Sequence, residues 1–276
     1  MKAKLLEGKT AIITGGSKGI GQGIAELYAE EGANVVITAR GQSSIDEEVE
    51  KIRNAGGSAI GVVADQRNEK DVDKVFQAAL DAFGDIDIVV INAGVGENLK
   101  IEATPTELFD EIYEVNLRGP FAYARAAVRH FLPKNDGSIV MISSTNGIRP
   151  LCGVSYTTSK AALNGMAKQI AMNLVGTGVR INTICPGYTI TPLSGKQERT
   201  NGGAIPPAGT DFNPMNLDDR MNPPEDVSTR PILLARSVRG VPTYPIDQAY
   251  AALFFGSDMS KCVQGQLICV DNGSYL

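Results

Sequence analysis

Short apolar runs alternate with longer amphipathic runs along most of this chain, and that alternation constrains the fold more than any other feature. Seven runs have the length and β-branched composition of buried strands: 10–14, 34–38, 58–63, 86–91, 138–143, 179–184 and 266–270. Helical patterns separate them, at 23–32, 44–57, 68–84, 106–119, 120–132 and 155–176. Because parallel strands need helical crossovers, the pattern predicts an α/β fold with a single doubly wound parallel sheet.

One long segment interrupts this rhythm. Residues 192–245 are rich in Pro, Gly, Asn and Asp and show little periodicity. A loop of that length in a compact domain is either functional or disordered. We predict a single domain over 1–276, with a substrate lid at 192–245 before the last helix and strand, and a short helix near 232–238. An excursion without function is the alternative.

Composition excludes several classes of partner. The chain has 276 residues, is 43% hydrophobic and has a net charge of −5, so it can bury a large core but lacks the basic face of a nucleic-acid binder. The four cysteines form no C-x-x-C pair and are interpreted as reduced thiols. The single histidine, His130, ends a helical run, so neither a His-dependent triad nor a zinc site is expected.

Targeting signals are absent from the pattern. The opening residues, MKAKLLEGKTAI, contain no apolar run of signal-peptide length. No uninterrupted apolar stretch reaches the roughly 18 residues that a membrane-spanning helix needs. We therefore expect a cytoplasmic protein with no membrane partner and no resident metal.

A glycine-rich turn follows the first predicted strand directly. In TGGSKGIGQG (14–23), Gly15, Gly19 and Gly21 permit a tight turn and a close approach of ligand to backbone. The helix that follows presents free N–H groups to a pyrophosphate. A glycine loop between a strand and a helix predicts a dinucleotide site, and the absence of a following G-K-[ST] argues against a phosphoryl-transfer NTPase.

The end of the second strand indicates which dinucleotide binds. An acidic residue there would bind the ribose hydroxyls of NAD, but this strand ends in TAR, at Arg40. Arg40 and Lys18 can both contact a 2′-phosphate, so NADP(H) is the predicted cofactor. Two solvated surface cations are the alternative interpretation.

Further along, VSYTTSKAAL (154–163) places Tyr156 and Lys160 on one helix face, one turn apart. Together with the segments TGGSKGIG, NAG, VNLRG, ISSTNG and PGYTIT, in that order, this chain resembles the short-chain dehydrogenase/reductase family, a family with the Rossmann fold. The resemblance covers nearly the whole chain.

The resemblance assigns site residues by position. It implies that the catalytic set is Asn116, Ser144, Tyr156 and Lys160. It implies that the cofactor is bound by Gly15, Ser17, Lys18, Gly19, Ile20, Gly21, Arg40, Asp65, Gln66, Asn92, Ala93, Gly94, Tyr156, Lys160, Pro186, Gly187, Thr189 and Thr191. Ser144 is chosen because it precedes x-x-Gly; its spacing to Tyr156 is twelve, whereas a spacing of thirteen points to Ser143.

The implied reaction is hydride transfer between the nicotinamide and an alcohol or ketone, with Tyr156 as proton donor or acceptor. Apolar residues in the predicted lid, such as Phe212 and Met215, favour a sizeable substrate such as a hydroxysteroid or bile acid. A sugar or polyol dehydrogenase, a β-ketoacyl reductase and a non-catalytic dinucleotide sensor are the alternatives. By family analogy we expect a homo-oligomer, either a tetramer or a dimer.

Overall fold

The computed structural model describes residues 4–191 and 242–274, which form one sheet flanked by helices on both faces. The strands are β1 (Thr10–Thr14), β2 (Asn34–Ala39), β3 (Ser58–Val63), β4 (Ile88–Ile91), β5 (Gly137–Ile142), β6 (Val179–Pro186) and β7 (Leu267–Val270). The α-helices are α1 (Gly19–Glu30), α2 (Gln42–Asn54), α3 (Glu69–Phe83), α4 (Thr106–Tyr113), α5 (Gly119–Lys134), α6 (Val154–Asn173) and α7 (Pro245–Gly256).

All neighbouring strands run parallel, in the order β3-β2-β1-β4-β5-β6-β7. This confirms the predicted doubly wound sheet. The chain leaves the edge strand β3 and crosses to β4 on the far side of β1, so the winding reverses between β1 and β4. A crevice opens at such a reversal, at the carboxyl ends of the strands.

The core has two apolar layers, one on each face of the sheet. Side chains alternate along a strand, so Ile13 faces a layer with α1, α2 and α7, whereas Ile12 faces a layer with α3, α5 and α6. Every residue of β1, β4 and β5 is buried. Burial on both faces explains why these strands are continuous apolar runs in the sequence.

The helices differ from prediction mainly at their ends. Helix α1 begins at Gly19 rather than 23, because the last part of the glycine loop already has helical hydrogen bonds. The predicted helices at 106–119 and 120–132 are α4 and α5, joined by a π-helical turn at Glu114–Arg118. Pro133 lies within α5, which ends when Asn135 takes a left-handed conformation with φ of 53°.

The predicted lid falls almost entirely outside the described residues, as does its short helix near 232–238, so both stay predictions, as does the single-domain boundary. Its last residues are described. The Thr243 N–H donates to the Tyr188 carbonyl at 3.0 Å, and the Ile190 N–H donates to the Thr243 carbonyl at 3.0 Å. The chain therefore returns beside the point where it left, and α7 begins immediately at Pro245. None of the described helices is long and apolar enough to cross a membrane.

Candidate active site

A cavity of about 320 Å³ opens at the carboxyl ends of the central strands, where the winding reverses. It is lined by many of the residues predicted to bind a cofactor: Gly15, Ser17, Lys18, Gly19, Ile20, Arg40, Gln66, Asn92, Ala93, Gly94, Tyr156, Lys160 and Thr191. Segments that are distant in sequence thus meet around one cavity.

The lining also differs from the predicted set. The predicted residues outside it are Gly21, Asp65, Asn116, Ser144, Pro186, Gly187 and Thr189. The lining residues that were not predicted are Thr14, Thr38, Ala39, Ala64, Val95, Val115, Tyr123, Ile142 and Ser143. The rule that ligands bind at carboxyl ends of strands would have found Thr38 and Ala64. Nothing in the helical run of α5 marks Tyr123 as a lining residue.

The glycine loop has the form that a pyrophosphate requires. Gly15 and Gly19 have positive φ angles of 65° and 59°, which favour glycine. A Cβ atom on Gly21 would collide with the Gly15 carbonyl and the Asn92 side chain. The loop therefore packs against its neighbours without side chains, and leaves its backbone next to the cavity.

Helix α1 begins with its N–H groups available. Its N-cap residue is Lys18, whose side chain makes no capping hydrogen bond. Unpaired N–H groups in the first turn carry partial positive charge and bind anions. The glycine cradle and the uncapped helix start together fit the pyrophosphate of a dinucleotide.

Two cations stand at the rim of the same cavity. Lys18 and Arg40 are both exposed, and within residues 4–191 and 242–274 neither forms an ion pair. Asp65 is held differently, because the Arg67 guanidinium forks onto its carboxylate at 2.6 and 3.0 Å. These hydrogen bonds lower the pKa of Asp65. The predicted contact of Asp65 with adenine stays a prediction.

The segment after β4 connects the glycine loop to the rest of the site. The Asn92 Nδ2 donates to the Thr14 carbonyl at 2.9 Å, and the backbone N–H groups of Asn92 and Ala93 donate to the Thr14 hydroxyl. The Gln66 Nε2 donates to the carbonyls of Ala93 at 3.1 Å and Val115 at 2.7 Å. These bonds fix the cavity floor.

Asn116 lies in the π-helical turn between α4 and α5, a distortion common at functional sites. Its Oδ1 accepts the Val95 N–H at 2.9 Å. Its Nδ2 donates to the Val95 carbonyl at 2.8 Å and to the Ser159 hydroxyl at 3.1 Å. The turn aims the amide at the backbone of the segment after β4, and ties that segment to α6.

Tyr156 and Lys160 stand together on the cavity wall, as their spacing predicts. The Lys160 Nζ lies 5.8 Å from the centre of the Tyr156 ring and donates to the Ile142 carbonyl at 3.1 Å. A Cβ on Gly94 would lie 3.5 Å from that Nζ, so glycine leaves the ammonium room. Burial lowers the pKa of Lys160 to about 8, which places its charge change close to neutral pH.

The two candidate serines use their hydroxyls differently. The Ser143 Oγ donates to the Lys160 carbonyl at 3.2 Å and also contacts the buried Cys185 thiol. The Ser144 Oγ accepts the backbone N–H of Asn146 at 3.1 Å and the amide of the same residue at 3.3 Å. Ser143 is therefore committed to the protein as a donor, whereas the bonds at Ser144 leave its proton to donate elsewhere.

A parallel sheet with this strand order, and a glycine loop at the reversal of winding, defines the dinucleotide-binding class of α/β proteins. Comparison with known proteins identifies the family within that class. The family model described as short chain dehydrogenase matches residues 9–202. The chain belongs to the short-chain dehydrogenase/reductase family of oxidoreductases, whose members use NAD or NADP.

Individual relatives support the same assignment. A 3beta-hydroxysteroid dehydrogenase 1 from Eggerthella lenta is 33% identical over 274 residues, covering 98% of this chain and 95% of the relative. Glucose 1-dehydrogenase 2 from Bacillus subtilis is 38% identical over 195 residues, covering 68% of this chain and 74% of the relative. The crystal structure of a short-chain type dehydrogenase/reductase from Mycobacterium marinum superposes with a TM-score of 0.83 at 27% identity, over 99% of this chain and 98% of the other.

Proposed function

We propose that this protein reversibly transfers a hydride between NADP(H) and a secondary alcohol or ketone. The observation that carries the proposal is the single cavity that has the glycine loop at one end and the Tyr156–Lys160 pair at the other. A phosphate anchor and a proton donor at opposite ends of one cavity suit a dinucleotide whose reactive ring must meet a substrate oxygen. A non-catalytic sensor would need only the first of these.

The bound nicotinamide dinucleotide supplies the hydride in reduction and accepts it in oxidation. In reduction, Tyr156 donates its phenolic proton to the substrate oxygen as the carbonyl carbon receives the hydride. In oxidation, the phenolate takes the proton of the hydroxyl group. The Lys160 ammonium, 5.8 Å from the ring centre, favours the phenolate and so lowers the pKa of Tyr156.

Ser144 is the proposed anchor of the substrate oxygen. Because its Oγ accepts two N–H groups of Asn146, its own proton points to another acceptor, and a carbonyl oxygen is one. Asn116 and Lys160 complete the proposed catalytic set, with Asn116 holding the segment next to Lys160. Ser143 is the alternative, and its bond to the Lys160 carbonyl argues against it.

The proposed preference for NADP(H) rests on Arg40 and Lys18. Both line the cavity next to the end of β2, where the adenosine ribose of a dinucleotide is expected. Arg40 offers a planar guanidinium that can bond a phosphate through two N–H groups. No carboxylate stands at the end of β2 to repel that phosphate.

A sizeable apolar substrate, such as a hydroxysteroid or bile acid, is proposed from the side chains around the serine. Leu99, Ile148 and Leu151 are large apolar residues that are 41%, 53% and 48% exposed. The Leu151 N–H donates to Asn146, the residue that bonds Ser144, so this apolar rim lies next to the proposed oxygen anchor. The relative named as a 3beta-hydroxysteroid dehydrogenase supports this proposal.

A sugar or polyol is the second candidate, because the relative named glucose 1-dehydrogenase is 38% identical over the matched residues. A panel of steroid, sugar, polyol and β-ketoacyl substrates, followed through the absorbance of NADPH and of NADH, tests both candidates. We expect turnover of a hydroxysteroid or its ketone with NADPH. Turnover of sugars alone would overturn the substrate proposal, and no turnover of any alcohol or ketone would favour the sensor.

We also propose a cytoplasmic homo-oligomer, either a tetramer or a dimer. Phe121 on α5 and Met172 and Val175 at the end of α6 are 46%, 68% and 70% exposed, which is unusual for large apolar side chains in a monomer. Sedimentation of the purified protein tests the number of subunits. A monomer at micromolar concentration would overturn the proposal.

A further inference from the structure

Helix α6 takes its N-terminal cap from a distant part of the chain. Its own N-cap residue is Gly153, which has no side chain to accept a hydrogen bond. The carboxylate of Glu97 does this instead: its Oε1 accepts the backbone N–H of Ser155 at 2.9 Å and that of Tyr156 at 3.2 Å. The Gly153 N–H also donates to the Glu97 carbonyl, at 3.3 Å.

The surroundings of Glu97 show that this contact is built into the fold. The side chain is buried, with 8% of the residue exposed, and its Oε2 accepts the Leu99 N–H at 2.6 Å. Within the described part of the chain, no lysine or arginine pairs with it. A buried carboxylate without a cation needs hydrogen bonds and a helix dipole to stabilise its charge, and Glu97 has both. A Cβ on Gly153 would occupy the position of the carboxylate.

Glu97 also belongs to the segment that contacts every other part of the site. Asn92 in this segment bonds the glycine loop, and Val95 bonds Asn116 through both its N–H and its carbonyl. Glu97, two residues further on, bonds the start of α6. The segment 92–97 therefore connects the cofactor loop mechanically to the helix that carries Tyr156 and Lys160.

We propose that Glu97 is a positioning residue, which acts through the first turn of α6 to set the position of the Tyr156 hydroxyl relative to the cofactor cavity. The inference rests on the role proposed above for Tyr156. It adds that the placement of the proton donor is controlled by a carboxylate that touches neither cofactor nor substrate.

This arrangement has an electrostatic consequence for Tyr156. The positive end of the α6 dipole favours the phenolate, and the Glu97 carboxylate offsets it. The other titratable groups around the pair are Lys160 on the same helix, the Cys152 thiol before it, and the Cys185 thiol of β6 next to Lys160. Burial raises the pKa of both thiols, so they are neutral at pH 7, and Lys160 and Glu97 are the charges that act on the phenol.

The test compares Glu97→Gln, which keeps the length and an acceptor but removes the charge, with Glu97→Asp, which keeps the charge but shortens the side chain. Glu102→Gln is the matched control, because Glu102 is an exposed carboxylate on the same loop. The titration of Tyr156 is read directly, as the tyrosinate absorbance of each protein minus that of the same protein carrying Tyr156→Phe.

We expect Glu97→Gln to lower the pKa of Tyr156 by roughly half a unit, since a carboxylate at a helix start contributes up to ~1 kcal/mol and a pKa unit corresponds to ~1.4 kcal/mol. We expect Glu97→Asp to leave that pKa near its wild-type value. Both variants should lose about tenfold in kcat, because a small displacement of a reacting group is costly. The dissociation constant of NADPH and the behaviour of Glu102→Gln should stay within about twofold of wild type.

An unchanged Tyr156 titration in Glu97→Gln, or a lower melting temperature with unchanged kcat in both variants, would overturn the inference and leave Glu97 a purely structural cap. Glu97→Asp keeps the kcat measurement available if Glu97→Gln does not fold. Failure of the proposed function is seen separately: full activity of Tyr156→Phe would refute the role of the phenol, whereas the tyrosinate titration would still report on Glu97.

Discussion

Helices α1 and α6 both begin at the edge of the cavity, yet their first turns are in opposite states. The start of α1 has no side-chain cap, since its N-cap residue is Lys18. The start of α6 is capped by the Glu97 carboxylate, which comes from the segment after β4. The two helices present the same backbone chemistry to the site, and only one of them is left available for a ligand.

The difference shows how the fold divides two tasks. A missing N-cap costs a helix about 1 kcal/mol, and α1 accepts that cost because an anionic ligand can supply the cap. Helix α6 carries side chains that must hold a fixed geometry, so a permanent internal cap suits it better than an exchangeable one. One helix start binds, and the other positions.

The largest expected effect comes from removing the group that α6 positions. Tyr156→Phe should retain the fold and NADPH binding but lose at least about a hundredfold in kcat, the usual scale of general acid–base catalysis. Steady-state kinetics and a binding titration of NADPH measure the two quantities. Near-normal turnover would sink the proposed mechanism.

Making α1 resemble α6 should have the next largest effect. Lys18 has the extended backbone of an N-cap, so Lys18→Asp can cap the helix with its own carboxylate. We expect a higher melting temperature, and an affinity for NADPH that falls by about thirtyfold, because a carboxylate replaces a cation beside the phosphates.

Lys18→Ala is the control, since it removes the cation without adding a cap. It should weaken NADPH binding by less than Lys18→Asp and should not raise the melting temperature. Equal affinity for NADPH in wild type and Lys18→Asp would show that the start of α1 does not bind phosphate.

A smaller change separates the two dinucleotides at this end of the cavity. Arg40→Asp should weaken NADPH by about tenfold and strengthen NADH, since a charge-assisted hydrogen bond contributes roughly 1.5–3 kcal/mol and an acid there can bond the ribose hydroxyls. Dissociation constants for both cofactors, measured on both proteins, give the ratio. Wild-type protein that prefers NADH would refute the interpretation of Arg40 and Lys18.

The smallest effect concerns the outer side of α1, where Glu48 of α2 faces Glu26. Burial, and then the Glu26 carboxylate, raise the pKa of Glu48 to about 7, and its Oε1 has no hydrogen-bond partner among the described residues. The folded-state pKa is above the unfolded value, so the folded protein holds the proton more tightly and the free energy of unfolding falls as pH rises towards 7.

Glu48→Gln removes this titration. We expect it to raise the free energy of unfolding by on the order of 1 kcal/mol at about pH 8 and to change little at about pH 5, where Glu48 is mostly protonated in the folded protein. Denaturant unfolding at both pH values measures the difference. A gain that is the same at both would show that the carboxyl does not titrate in this range.

The sheet was predictable because its evidence is local. Runs such as TAIIT and IDIVVI are apolar, β-branched and short, and burial on both faces leaves no other use for them. The helix ends were less predictable. The π-helical turn at Glu114–Arg118 depends on what the Asn116 amide meets across space, and a helical periodicity does not contain that information.

The candidate site divides in the same way. Motif spacing was sufficient to bring Gly15, Arg40, Tyr156 and Lys160 to one cavity, because each follows a strand end or opens a helix. Glu97 was missed, since a glutamate in a loop is ordinarily a solvated surface residue, and only the contact with the start of α6 distinguishes it.

The two threonines that flank the long insertion have a consequence for how such a protein can diversify. Thr189 and Thr243 share a hydroxyl–hydroxyl hydrogen bond at 2.8 Å, and the Gln248 amide contacts both at 3.3 Å. The intervening chain therefore leaves and re-enters the fold at a closed junction. Doubling the length of a loop costs only about 0.6 kcal/mol. Segments of different length and sequence can be exchanged there as interchangeable cassettes, while the chemistry beneath them is inherited intact.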